Sequence, residues 1–192
     1  TVAVVADKWF NAKTALAALP IVWDEGPNAT VDSAQIDALL KTGLDAKEAA
    51  LGQKQGDFDA AFGVAAKKIE AVYGTQFQNH ATLEPMNCTA KWDNGKIEVW
   101  VASQNGDATL AAAAEASGLQ LSDVIVHKHH LGGGFGRRGQ QDYVRQAVLI
   151  AKQVPGRPIK LIWSREEDMT HGFYRPITQA KLTAGLDAQG NV

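Results

Sequence analysis

Apolar residues recur along the chain with two alternating periods. Trp9, Ala12, Leu16 and Leu19 fall at helical spacing after Asp7, which stands where an N-cap would, and Pro20 ends the run. Thr1 to Ala6 and Ile21 to Trp23 are short apolar runs that predict strands on either side. Val31 to Leu40 predicts a helix with a polar start, and 41–56 has no firm period and predicts a linker. From Asp57, the positions Phe58, Ala61, Phe62, Ala65 and Ile69 line one face of a helix. From Ala71 the period becomes two.

The second half of the chain carries sharper signals. Cys88 to Trp92 and Lys96 to Val101 flank Asp93-Asn94-Gly95, a hairpin signal, because Asn and Gly tolerate positive φ. Asp107 is the expected cap of an alanine-rich helix ending near Gly118. A strand over 124–130, a helix over 141–153, a strand over 158–164 and a helical turn over 165–170 follow. Lys181 to Leu186 predicts a strand, and Asp187 to Asn191 a turn that would open a hairpin, so the chain is expected to be a segment of a longer polypeptide. Hairpins mixed with helices predict an α+β fold rather than a regular βαβ series.

Composition narrows the chemistry. The chain has 192 residues, 45% apolar and 21% charged, with a net charge of −2, so it lacks the basic excess of a nucleic-acid binder. One cysteine, Cys88, excludes an internal disulfide and any thiolate cluster built from this chain alone; it reads as a buried hydrophobe.

The glycine loop in HHLGGGFGRRGQQD (129–142) is the main candidate site. Glycines lose the most backbone freedom on folding, so such a run suggests close approach to something. Gly134-Phe-Gly136-Arg-Arg-Gly139 satisfies G-x-G-x-x-G between a strand and a helix, with Glu166 near the end of the next strand, which permits a nicotinamide dinucleotide site. Against it, the preceding strand carries His127, Lys128, His129 and His130, whereas a Rossmann first strand is apolar on both faces. A second reading is an anion cradle: loop amides with Arg137 and Arg138 as bidentate donors. His127 and His129 share a strand face, yet no neighbouring ligand completes a metal set, and no metal-ligating residues are assigned. His80 and Glu84 could form an acid/base pair.

Four motifs together resemble a known family. GGGFG (132–136), VWVASQN (99–105), QNHATLEPMNCTA (78–90) and WSREEDMTHGFYRP (163–176) are similar to the molybdenum-binding subunit of the xanthine dehydrogenase and aldehyde oxidase family. The double arginine and the last motif look most like its isoquinoline 1-oxidoreductase β-subunit branch. The resemblance implies a molybdopterin-binding fold of mixed sheets, hairpins and packed helices. Residues 1–50 would end a preceding small domain, 51–71 would be linker and helix, and 72–192 would be the first, truncated cofactor-binding domain.

It also implies a molybdenum–molybdopterin cofactor, in cytosine dinucleotide form, and iron–sulfur clusters on a small partner subunit. The reaction implied is oxidation of aldehydes or N-heteroaromatic compounds with water as oxygen source. Gln104 would donate its amide to a metal ligand. Gly132, Gly133, Gly134, Phe135, Gly136, Arg137 and Arg138 would bind the cofactor, Gly133 and Gly134 being glycine because a Cβ would intrude on it. The base glutamate of the family would lie outside this chain, so the fragment alone would be inactive. Gly139 stands where xanthine-type members carry a second glutamate, which argues against purines. The remaining partners would be the rest of its own polypeptide and a small-molecule substrate. The branch suggests a periplasmic or membrane-associated bacterial enzyme, with the cytoplasm as alternative. A non-catalytic assembly scaffold is a further alternative to the dinucleotide reading.

Overall fold

The computed structural model describes residues 1–192. In chain order the elements are α1 (Trp9–Ala17), α2 (Ser33–Leu44), α3 (Phe58–Val64), β1 (Lys67–Thr75), β2 (Asn87–Asp93), β3 (Lys96–Ala102), α4 (Gly106–Ser117), β4 (Val124–His129), α5 (Asp142–Gln153), β5 (Pro158–Ile162), α6 (Arg165–Thr170) and β6 (Thr178–Leu186). The architecture is α+β. Two compact units form, one from 1–22 with 79–175 and one from 23–78 with 176–192. The second is joined by the pairing of β1 with β6, which brings together residues more than a hundred apart.

In the first unit the sheet order is β4-β3-β2-β5. The β2–β3 hairpin turns at Asn94 and Gly95, whose φ values of 49° and 72° need those two residue types. Its register sets Cys88 opposite Val101 and Ala90 opposite Val99. These four side chains are buried and face α5, which lays Tyr143, Val144, Ala147, Val148 and Ala151 against the sheet. Alanines at 112, 113, 147 and 151 let α4 and α5 approach closely. Strand β4 runs parallel to β3, so the chain must return through a crossover, and α4 is that crossover. Gly118, at φ 76°, ends α4 by donating its amide to the Ala114 carbonyl at 2.8 Å.

Several local expectations are corrected. Residues 1–6 and 21–23 form no strand, since no neighbouring strand offers them a ladder. Asp7 does not cap α1; its carboxylate accepts from the Asn11 side chain at 2.8 Å, and Lys8 holds the N-cap position. Asp107 does not cap α4 either. Asn105 has the extended backbone that capping requires, and its side chain accepts from the Ala108 amide at 3.0 Å.

In the second unit β1 and β6 pair antiparallel from Lys67 opposite Leu186 to Thr75 opposite Thr178. This ladder claims Lys67 to Ile69, so α3 stops at Val64 rather than running to Ile69. Gly185 is required beneath α3, since a Cβ there would stand 2.8 Å from that of Ala65. Asp32 and Asp57 cap α2 and α3 through the amides of Gln35 and Ala60. Asp187 closes the expected turn by accepting from the amides of Gln189 and Asn191.

The hairpin core is expected to carry much of the first unit's stability. Ile97 is fully buried in it, and Ile97→Ala is expected to lower the unfolding free energy by about 2–5 kcal/mol in urea titrations.

Candidate functional site

The glycine loop leaves β4 after His129 and reaches α5 through a single short 3₁₀ turn over Arg137–Gly139. Its backbone is sharply folded. Gly133 and Gly136 sit at φ 96° and 99°, and Phe135, a bulky residue, is held at φ 53° and is two-thirds exposed. A non-glycine residue in that region stores strain that the surroundings must hold in place.

Gln104 provides one support. Its side-chain oxygen accepts from the amides of Gly136 and Arg138, both at 3.1 Å, and its backbone amide donates to the Arg138 carbonyl at 3.3 Å. With the oxygen so engaged, the amide nitrogen of the side chain is the end left to donate outward. Glu84 provides another support. One carboxylate oxygen accepts from the Gly132 amide at 2.8 Å and from Arg138 at 2.9 Å, and the Glu84 amide donates to the Gly132 carbonyl at 3.2 Å.

These contacts revise the reason for the glycines. A Cβ on Gly134 would lie 2.5 Å from the Gln104 side-chain carbon, and one on Gly132 would lie 2.6 Å from the Glu84 Cβ. Both glycines therefore make room for side chains of this chain itself. Gly133 needs glycine for its positive φ.

The two arginines are also revised. They do not point outward as anion donors. Arg137 is 2% exposed and forms a two-bond pair with Asp142, each bond 2.8 Å, with the Trp163 and Phe173 rings 5.4 Å from its guanidinium. Arg138 has no exposed surface and donates to the carbonyls of Gly133, Ala102 and Glu84 as well as to the Glu84 carboxylate. A tight loop turns several carbonyls inward, and a guanidinium with five donors can satisfy them together.

The amides of the consecutive residues Gly133, Gly134 and Phe135 have no acceptor within the chain. Together with the free end of Gln104 they form a set of donors beside the strained Phe135. Such a cluster suits a ligand that presents acceptor atoms. The molybdenum cofactor, with its oxygen-bearing metal, fits this donor set; the residues that would hold it are Gln104 through its side chain and Gly133, Gly134 and Phe135 through backbone.

The four motifs converge in space. Arg165 from the WSREED stretch pairs with Asp168 at 2.8 Å and donates to the carbonyls of Thr82 and Leu83. Asn79 donates to the Asp168 carbonyl and accepts from the amide of Ala81, another non-glycine residue at positive φ. Residues 79–84 are thereby fixed where Glu84 meets the loop. Beneath the turn, Thr109 donates to Gln141, whose amide donates to the carbonyls of Arg138 and Gly139. Thr109, Asn79, Arg165 and Gln141 were not legible as site residues; only the clustering of Asn79 and Arg165 within motifs hinted at them.

His80 and Glu84 are not joined by a hydrogen bond. His80 lies behind Gly136, with a ring nitrogen 3.8 Å from where a Cβ would stand. Burial, then the charges of Arg175 and Arg137, hold its pKa below the ordinary value. His127 stacks on Trp100 with ring centroids 5.0 Å apart and approaches Glu98 at 3.5 Å. Cys88 is buried and its thiol is pushed up to about 12 by burial, so it is no nucleophile. The dinucleotide reading loses its geometry: α5 begins at Asp142, three residues beyond Gly139, and β4 is an edge strand.

Comparison with known proteins identifies the family. Residues 44–192 match the family model described as the molybdopterin cofactor-binding domain. The aldehyde oxidoreductase molybdenum-binding subunit PaoC of Escherichia coli (strain K12) is 33% identical over 139 residues, covering 71% of this chain and 19% of its own length. Isoquinoline 1-oxidoreductase subunit beta of Brevundimonas diminuta is 27% identical over 195 aligned residues, covering 96% of this chain and 25% of its own length. The solved aldehyde oxidoreductase of Desulfovibrio gigas superposes with a TM-score of 0.63 at 20% identity, over 70% of this chain and 15% of that one, which establishes a shared fold. The chain thus spans no more than a quarter of the length of these relatives.

Two outcomes test the loop's supports. Gly134→Ala displaces the Gln104 side chain and frees two amides, and is expected to cost about 1–3 kcal/mol in thermal or urea unfolding. In a Gln104→Ala background the same change should cost distinctly less, since the two sites touch. The second outcome concerns acid. Burial pushes the Glu84 carboxyl up, but the Gly132 amide, the Asn87 side chain and the charges of Arg138 and Lys160 outweigh it and hold it below its ordinary value. A depressed carboxyl stabilises the fold above its unfolded pKa and loses that contribution as pH falls through the folded one. The melting-temperature gap between the parent and Glu84→Gln should therefore be present at neutral pH and close on acidification through that range.

Proposed function

Because this chain belongs to the molybdopterin cofactor-binding domain family, we propose that it forms the glycine-loop side of the cofactor site in a larger molybdenum hydroxylase. Its substrates are aldehydes or N-heteroaromatic compounds, with water as the oxygen source. The observation that carries this reading is the donor set: three unengaged amides at Gly133, Gly134 and Phe135 beside a Gln104 whose oxygen is already bound.

When bound, the cofactor supplies oxygen transfer to carbon and takes up the two electrons released. The chain's own residues position and polarise. Gln104 is preorganised, since two amides fix which end of its side chain is the donor, and such a donor is most effective where negative charge develops. The amides beside Phe135 act in the same way from the backbone. No carboxylate stands at Gly139, and a Cβ there would meet nothing within 4 Å, which favours aldehydes or heteroaromatics over purines. The general base, the cytosine dinucleotide tail of the cofactor and the substrate-binding wall are assigned to the remainder of the enzyme, and the iron–sulfur clusters to a small partner subunit. A periplasmic or membrane-associated location belongs to the same proposal; no helix of this chain is long and apolar enough to cross a membrane.

The test is elemental mass spectrometry of the full-length protein copurified with its partner. Near one molybdenum per chain is expected. Its absence, from a host that matures a related enzyme, would overturn the reading in favour of an assembly scaffold.

A further inference from the structure

The loop begins at Gly132 and its fold closes at Arg138, and a single carboxylate oxygen of Glu84 accepts from both, at 2.8 and 2.9 Å. The other oxygen accepts from Asn87 at 2.8 Å, which orients the group from behind. Arg138 is locked in turn by the carbonyls of Gly133, Ala102 and Glu84, and it cannot rotate to solvent. Its backbone amide and carbonyl are the groups that Gln104 grips. A continuous chain of contacts therefore runs from Glu84 through Arg138 to the Gln104 side chain.

We infer that Glu84 is a positioning residue that sets the shape of the loop and, through Arg138, the direction of the Gln104 amide, without touching the ligand itself. This role rests on the proposed cofactor site and adds to it a residue outside the glycine motif. The physical basis is geometric. One rigid acceptor ties two points six residues apart in a segment that glycine leaves intrinsically loose. The Cβ of Glu84 also fills the space that the missing Gly132 side chain leaves, 2.6 Å from where a Cβ there would stand, so the two backbones meet closely at this point. The strained conformation of Phe135 lies between the two tied points and persists because they are tied.

The experiment uses the full-length protein in two forms, cofactor-free from a host unable to make the cofactor, and matured in a competent host. Backbone hydrogen exchange of the bonded loop amides, those of Gly132, Gly136, Arg137, Arg138 and Gly139, is compared with that of α5 in the cofactor-free parent, Glu84→Gln and Glu84→Ala. Loss of a charge-assisted acceptor should speed loop exchange by about 10- to 100-fold while α5 is unchanged. Adding Gln104→Ala to Glu84→Gln should raise loop exchange little further, because the loop is already released. In the matured protein, molybdenum occupancy should fall in both Glu84 variants.

Unchanged loop exchange in both variants would overturn the inference. So would an equal rise across α5, which would make Glu84 a general stabiliser, or full molybdenum occupancy despite a released loop. A parent without molybdenum would remove the functional reading alone, since the exchange comparison still decides whether Glu84 holds the loop. If neither Glu84 variant folds, Asn87→Ala removes one donor to the same carboxylate and should loosen the same loop amides ahead of α5; equal loosening overturns the inference there too.

Discussion

The Arg138 guanidinium has no exposed surface, and the first unit is arranged to make that tolerable. Removing a charge from water is costly unless every donor finds a partner, and a partner ion is the strongest of these. Here the end of β3 supplies the Ala102 carbonyl, the loop supplies that of Gly133, and the segment before β2 supplies both a carbonyl and a carboxylate from Glu84. Three stretches of chain that are far apart in sequence are thereby held to one point. The hydroxyl of Tyr143 on α5 reaches the same Ala102 carbonyl at 3.0 Å, which brings the helix into the arrangement.

The sheet makes this meeting possible. The antiparallel β2–β3 hairpin sets the start of β2 beside the end of β3, so Glu84 and Gln104 come to the same edge. Strand β4 runs parallel to β3 and delivers the glycine loop to that edge as well. Strand β5 pairs with β2 and hands the chain to α6, whose Arg165 and Asp168 fasten residues 79–84. The site is thus a place where strand ends gather. Its rigidity comes from polar bonds between loops, while the apolar core beneath α5 sets only the positions of the strands.

The glycines carry a lesson about reading such loops. A glycine run suggests a backbone held against a foreign group, but the empty Cβ positions at 132 and 134 are filled by Glu84 and Gln104. The space serves the chain first. What those side chains leave unengaged is a set of backbone donors.

How much could be foreseen depended on whether the physics was local. The Asn94-Gly95 hairpin, the helix read over 141–153, the Gly118 terminus and the α+β class were all visible, because turn chemistry and apolar period act within a few residues. The order of four motifs singled out the glycine loop and Gln104 together, and the fold brings them into contact. The direction of the arginine side chains was not. A guanidinium reads the same whether it faces a phosphate or, as at Arg138, four interior acceptors, and only the folded arrangement of carbonyls and carboxylates decides. Likewise α3 ended early, and 1–6 stayed unpaired, because strand pairing depends on partners far along the chain. Sequence by itself determined the local elements and the residue types able to do the chemistry; tertiary structure decided which of them face a ligand and which hold the others in place, because burial and hydrogen-bond satisfaction are properties of the whole fold.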